Sequence, residues 1–288
     1  MEQKICIITG GNASIGKAAA IQIAQKGYRV IIACRSQDRG AAALADIKRQ
    51  SGSDAVALML VDMSSRASIR AFADAFTAKY GRLDVLIQNA AVFDISQKEP
   101  QYSDDDVEII WATNHLGPVL LTDLLLDLLK QSEQGRVITI ASKGLMAVRR
   151  LKIDLDDPEF RHKKFSVTKA YYQSKRAQVM YTYWLAEQLR ETAVSINCIR
   201  VTAVKLNLNK YPNIPRWVKW AYKLKSTFAL TPAEMAETYT WLATADELNG
   251  ISGKQFDEKH KEVRSIKYTY QLENIESVMA LTMRYLGE

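Results

Sequence analysis

The sequence predicts an α/β protein built around a doubly wound parallel sheet. Three observations carry that expectation. Short β-branched runs alternate with longer helical stretches through the first two-thirds of the chain. Most of those runs are apolar throughout, as suits strands covered on both faces. A glycine-rich turn separates the first run from the first helical stretch.

Six strands are expected, in KICIITG (4–10), YRVIIAC (28–34), AVALMLVD (55–62), LDVLIQNA (83–90), GRVITIAS (135–142) and VSINCIRV (194–201). Helical stretches between them include 15–26, 64–80, 104–130 and 167–191. Two segments interrupt the rhythm. Residues 149–168 are polar, and residues 205–232 hold three of the six prolines and a cluster of aromatics. Both read as insertions on one domain spanning 1–288, because long excursions within a compact domain are often lids or binding loops. The aromatic and basic stretch PRWVKWAYKLK (215–225) suggests a lid at 205–232 over an apolar substrate; the alternatives are an amphipathic helix packed on the core or one touching a membrane surface.

At 288 residues, with 48% hydrophobic and 25% charged residues, the chain can bury a substantial core. Its net charge of +7 is scattered and forms no basic block, so nucleic acid is not an expected partner. Cys6, Cys34 and Cys198 sit in apolar runs without CxxC spacing and read as reduced core residues. His115, His162 and His260 are too dispersed to suggest a metal site. The chain opens on a strand, without a basic-then-apolar leader, and has no uninterrupted run of about 18 apolar residues. No stable membrane insertion and a cytoplasmic location are therefore expected.

After the first strand comes TGGNASIGKAAA (9–20). A glycine-rich turn from strand to helix aims backbone N–H groups and a helix N-terminus at an anion, which makes Gly10, Asn12, Ser14, Ile15 and Gly16 candidates for a dinucleotide pyrophosphate. The second strand ends in ACRSQDRG, with Cys34 and Arg35 where an NAD site often places an acid. An arginine there suits a 2′-phosphate and points to NADP(H); the plainer alternative is a solvated loop charge. Further along, AYYQSK sets Tyr171 and Lys175 one helical turn apart. An ammonium beside a phenol lowers a pKa that starts near ~10.

Together these features resemble the short-chain dehydrogenase/reductase family, with its Rossmann fold, over nearly the whole chain. The family's TGxxxGxG is similar to Thr9–Gly16, its adenine-contacting segment to Asp62 and Met63, and its NNAG to QNAA with Asn89 and Ala90. Asn114, Ser142, Tyr171 and Lys175 resemble its catalytic set. TNHLGPVLLT, AYYQSKRAQ and GISGKQFDEK resemble the branch of retinol dehydrogenases and protochlorophyllide reductases. The resemblance implies an NADPH-dependent reductase of an apolar carbonyl compound. Tyr171 would be its proton donor, Ser142 a hydrogen-bond donor to the substrate oxygen, Lys175 a partner of Tyr171 and the nicotinamide ribose, and Asn114 the holder of a water. It also implies a homodimer or homotetramer through the 104–130 and 167–191 helices. Ser14, Ala91, Val201-Thr202 and Leu206 depart from the family pattern. They keep open a double-bond reductase, an epimerase, or a non-catalytic NADP-binding sensor or scaffold.

Overall fold

The computed structural model describes residues 3–205 and 229–287. Seven parallel strands form one sheet: β1 (Ile5–Thr9), β2 (Arg29–Cys34), β3 (Val56–Leu60), β4 (Val85–Gln88), β5 (Arg136–Ser142), β6 (Ser195–Val201) and β7 (Lys254–Phe256). Their order is β3-β2-β1-β4-β5-β6-β7. The winding reverses between β1 and β4, and ligands of such sheets bind in the crevice at the carboxyl ends beside that reversal.

Alternate strand residues point to opposite faces, and both faces are covered. Ile7, Ile31, Leu86, Val137 and Ile196 pack under α3 (Arg66–Tyr80), α4 (Ile109–Lys130), α5 (Val167–Gln188) and α7 (Leu272–Leu286). Cys6, Ile8, Ile32, Ile87 and Ile138 pack under α1 (Ser14–Gln25), α2 (Gln37–Ser51) and α6 (Pro232–Thr244). Two-sided burial is why these strands read as continuous apolar runs. Ser36, Ser65, Ser166 and Thr231 cap α2, α3, α5 and α6 with side-chain acceptors, each contributing about 1 kcal/mol.

The six expected strands are present, and the structure adds β7. Its three residues, Lys254-Gln255-Phe256, carry no apolar run, and only parallel pairing with β6 makes them a strand. The helix expected from 104 begins at Ile109, because Tyr102 and Glu108 pair across a tight turn and the Glu108 carboxylate accepts from the N–H groups of Ile110 and Trp111. Residues Ala112–Leu116 of α4 form a π turn, a feature frequent at functional sites. By length and composition α4 is apolar enough to cross a membrane, with a mean hydropathy of 1.3 where no such segment was expected; 78% of that stretch is buried inside the fold, as in a core helix.

The 149–166 excursion is tightly tied down. The Asp157 carboxylate accepts from the N–H groups of Arg161, His162 and Lys163, and Ile153, Asp157, Glu159 and Phe160 are buried. The expected lid lies almost wholly outside the described residues. Its two stems are joined: the Lys205 N–H donates to the Leu230 carbonyl at 2.8 Å and the Leu230 N–H to that of Ala203 at 3.2 Å.

Candidate active site

The glycine turn leaves β1 with Gly10 at φ +66°, a left-handed conformation suited to glycine. Ser14 adopts φ +49°, so the residue standing at the family's middle glycine takes a backbone conformation that glycine favours. Gly16 allows close packing, since a Cβ there would stand 2.5 Å from the Asn89 amide nitrogen and 2.6 Å from the Gly10 carbonyl. Asn89 braces the turn from β4 by donating to the carbonyls of Thr9 (2.9 Å) and Gly10 (3.3 Å), and Tyr239 donates to its Oδ1 at 3.2 Å. At the start of α1, Ala13 supplies no capping side chain and the first turn carries no acid. The N–H groups there stay available to an anion.

A cleft of about 210 Å³ opens above this turn. Of the expected cofactor residues, Gly10, Asn12, Arg35, Asp62, Met63 and Ala90 line it. Ser14, Ile15 and Gly16 form the first turn of α1, and Asn89 acts from beneath through the glycine turn. The cleft also uses Ser36 and Arg39, and Ser36 accepts from the Arg39 N–H as the cap of α2. Arg35 and Arg39 are exposed and, among the described residues, form no ion pair. Two unpaired guanidinium groups beside a helix N-terminus make a phosphate-accepting corner. The Asp62 carboxylate is oriented by Ser64, whose N–H and hydroxyl both donate to it.

At the far side of the carboxyl-end crevice, β5 delivers Ser142 and α5 delivers Tyr171 and Lys175. The Tyr171 phenol lies beside the Ser142 hydroxyl, which favours its ionised form. The neighbouring Tyr172 has its ring against Gly144. Lys175 is only 2% exposed; its Nζ donates to the Ile140 carbonyl at 3.0 Å and lies 5.8 Å from the Tyr171 ring centre. Burial pushes the Lys175 ammonium down to about 8. The expected lowering of the Tyr171 pKa is reversed. Burial raises the phenol to about 12, offset in part by the neighbouring Ser142 hydroxyl, and Lys175 aims at Ile140 instead.

Asn114 sits inside the π turn of α4 and is buried. Its Oδ1 accepts from the Val92 N–H at 2.7 Å, while its Nδ2 donates to the Val92 carbonyl at 3.1 Å and to Ser174 Oγ at 3.2 Å. The side chain is therefore occupied in tying α4 to the β4 loop and to α5. Ser174, which donates to the Tyr171 carbonyl at 2.8 Å, completes this link and was not singled out from the sequence. Phe93 was missed too: 40% exposed, its ring packs at a tilt against Tyr171 with ring centres 4.3 Å apart. An apolar residue four positions after an asparagine-containing strand end carries no sequence signal of such a role. Among the described residues no cluster of metal-ligating side chains occurs.

Residues 4–150 match the family model described as short chain dehydrogenase. Human retinol dehydrogenase 14 is 33% identical over 91% of this chain and 80% of its own length; human retinol dehydrogenase 13 is 35% identical over 88% and 76%. Among solved structures, an uncharacterised Mycobacterium paratuberculosis protein superposes with a TM-score of 0.77 at 24% identity, covering 99% of this chain and 94% of that one. A short chain dehydrogenase from Shigella flexneri 2a, solved in complex with NADP, gives 0.67 at 21% identity, covering 90% and 98%. With its parallel sheet, glycine turn and Ser142–Tyr171–Lys175 grouping, this chain belongs to the short chain dehydrogenase family, and its curated relatives include retinol dehydrogenases.

Proposed function

We propose that this protein is an NADP(H)-dependent reductase of a small-molecule carbonyl. One observation carries the reading: Tyr171 stands beside Ser142 with the Lys175 ammonium 5.8 Å from its ring centre, at one end of the sheet's carboxyl edge, whose other end presents Arg35 and Arg39 at a capped helix start. The residues fit a phosphorylated dinucleotide. The uncapped start of α1 and the close-packed Gly16 form a pyrophosphate cradle, and the unpaired arginines suit a 2′-phosphate. A bound dinucleotide supplies hydride-transfer chemistry.

The chain's own residues supply the proton and the orientation. With a pKa raised to about 12, Tyr171 is protonated at neutral pH and serves as a general acid toward a carbonyl oxygen. Ser142 donates a hydrogen bond to the same oxygen as negative charge develops. Lys175 holds positive charge behind the phenol, and Asn114 sets the distance between α4 and α5 that fixes Tyr171. Phe93, against Tyr171, offers an apolar face for a substrate of the kind named by the retinol dehydrogenase relatives. The whole chain acts as one NADP-binding domain, with 205–232 as the substrate lid.

The three cysteines are free and buried, which favours the reducing cytoplasm. Assembly as a homodimer or homotetramer through α4 and α5 rests on family resemblance. The test is NADPH consumption by purified protein with apolar aldehydes and ketones, beside Tyr171→Phe. Loss of turnover by about 10²–10⁴-fold with NADPH binding intact is expected. NADPH binding without turnover of any carbonyl would move the sensor or scaffold reading ahead.

A further inference from the structure

A cavity of about 250 Å³ lies directly against Ser142, between the carboxyl ends of β5, β6 and β7 and the 264–269 segment. Four arginines line it: Arg149, Arg176, Arg200 and Arg264. Arg176 is 1% exposed, and its guanidinium donates only to the carbonyls of Val148, Arg149 and Leu151. Carbonyl acceptors satisfy its N–H groups but leave its charge uncompensated.

Among the described residues, Arg149, Arg176 and Arg264 form no ion pair, and residues 206–228 contain no Asp or Glu. Arg200 is the one lining arginine with an acid nearby. Its Nη2 stands 3.7 Å from Asp257 Oδ2, beyond hydrogen-bond reach, and the Asp257 Oδ1 already accepts from the N–H groups of Lys259 and Lys261. The Nε of Arg200 is buried without any hydrogen-bond partner. Buried charge is ordinarily paired, and an unpaired guanidinium N–H costs about 1–3 kcal/mol. A solvated basic surface would account for the exposed Arg149 and Arg264. It does not account for Arg176 or for the orphaned Nε.

We propose that this cavity binds the anionic end of the substrate, so that the molecule presenting its carbonyl to Ser142 and Tyr171 is an amphiphilic acid bearing a carboxylate or phosphate. The proposal rests on the reductase reading above and corrects its expectation of a wholly apolar substrate. Geometry favours a substrate group over a remote effector because Ser142 is common to the cavity and to the tyrosine pair. Leu145, Met146 and Ile266 on the same walls suit the carbon chain between the two ends. Guanidinium groups bind planar carboxylates and phosphates through paired N–H donors.

The test has two arms. In the first, decanoate, decyl phosphate and decanol are titrated calorimetrically into the full-length protein saturated with NADP. Either anion should bind at least about tenfold more tightly than decanol, and Arg200→Gln and the exposed-rim variant Arg264→Gln should each erase most of that preference. The tighter anion identifies the headgroup. Equal affinity for all three probes, or a preference unchanged in both variants, overturns the proposal. In the second arm, kcat/KM is compared for a nine-carbon aldehyde with a terminal carboxylate and for its methyl ester. Turnover of both without acid preference also overturns the anion site while leaving the reductase standing. Anion binding lost in the variants, with neither aldehyde reduced, keeps the site and removes the reductase reading.

Discussion

Gly144 lies against the ring of Tyr172. A Cβ built at position 144 would fall well inside contact distance of the phenol oxygen and 2.7 Å from Cε1 and Cζ. Gly144 follows Ser142 by two residues and donates its N–H to the Ser142 hydroxyl at 3.2 Å; Tyr172 follows Tyr171. The Tyr172 ring meets that of Tyr171 edge-on, with centres 5.2 Å apart. One glycine therefore sets the spacing between the two elements that carry Ser142 and Tyr171.

Gly144→Ala should displace Tyr172 and, through it, the position of Tyr171 relative to Ser142. A misplacement of about 1 Å costs on the order of 10²-fold in rate. We expect kcat to fall by about that factor while the NADPH dissociation constant, governed by the far end of the cleft, is unchanged. Steady-state kinetics beside a fluorescence titration separates the two, and an unaltered kcat would refute this coupling.

Arg35 and Arg39 should discriminate between the two nicotinamide cofactors. Each charge-assisted contact to a phosphate contributes about 1.5–3 kcal/mol. Replacing both arginines by alanine should weaken NADPH binding by roughly 100-fold or more and leave NADH affinity nearly constant. Parallel loss for both cofactors would mean that the arginines support the fold of the turn and do not read a 2′-phosphate.

Ser14 carries backbone strain that glycine would relieve. A left-handed residue with a side chain costs roughly 1–2 kcal/mol, set against the larger unfolded-state entropy of glycine. Ser14→Gly is expected to raise Tm by about 1–4 °C in a thermal melt. A fall in Tm would reveal a stabilising contact of the Ser14 hydroxyl.

Glu108 should make stability depend on pH. Burial pushes its carboxyl up to about 7, with Glu159 adding repulsion and the two N–H groups it caps pulling the other way. Because the folded pKa lies above the unfolded one, the contribution is complete below about 4.5 and is lost as pH rises through about 7. Glu108→Gln keeps an acceptor for Ile110 and Trp111 without the buried charge. It should stabilise the protein at pH 8 by on the order of 1–3 kcal/mol and have little effect at pH 4. Chemical denaturation at the two pH values measures this difference, and equal effects at both would dismiss the titration.

Local chemistry was legible in the sequence. Continuous apolar strands, the glycine turn after β1, the strand-end Arg35 and the Tyr171–Lys175 spacing depend on periodicity and on residues adjacent along the chain. They sufficed for the parallel sheet and the family. β7 was not legible, because its polar residues are a strand only through β6. Nor was the occupied side chain of Asn114, whose partners Val92 and Ser174 are distant in sequence.

The sequence by itself determined which groups this protein possesses: a glycine turn opening the first helix, arginines at a strand end, and a serine, tyrosine and lysine on elements that meet at one edge of the sheet. Only the tertiary structure decided how those groups behave. Burial raises Tyr171 and lowers Lys175, while the Lys175 ammonium turns to the Ile140 carbonyl. Packing also gathers Arg149, Arg176, Arg200 and Arg264 from four separate segments around Ser142. Desolvation and long-range packing depend on what surrounds a group in space, and the linear order of residues does not carry that information.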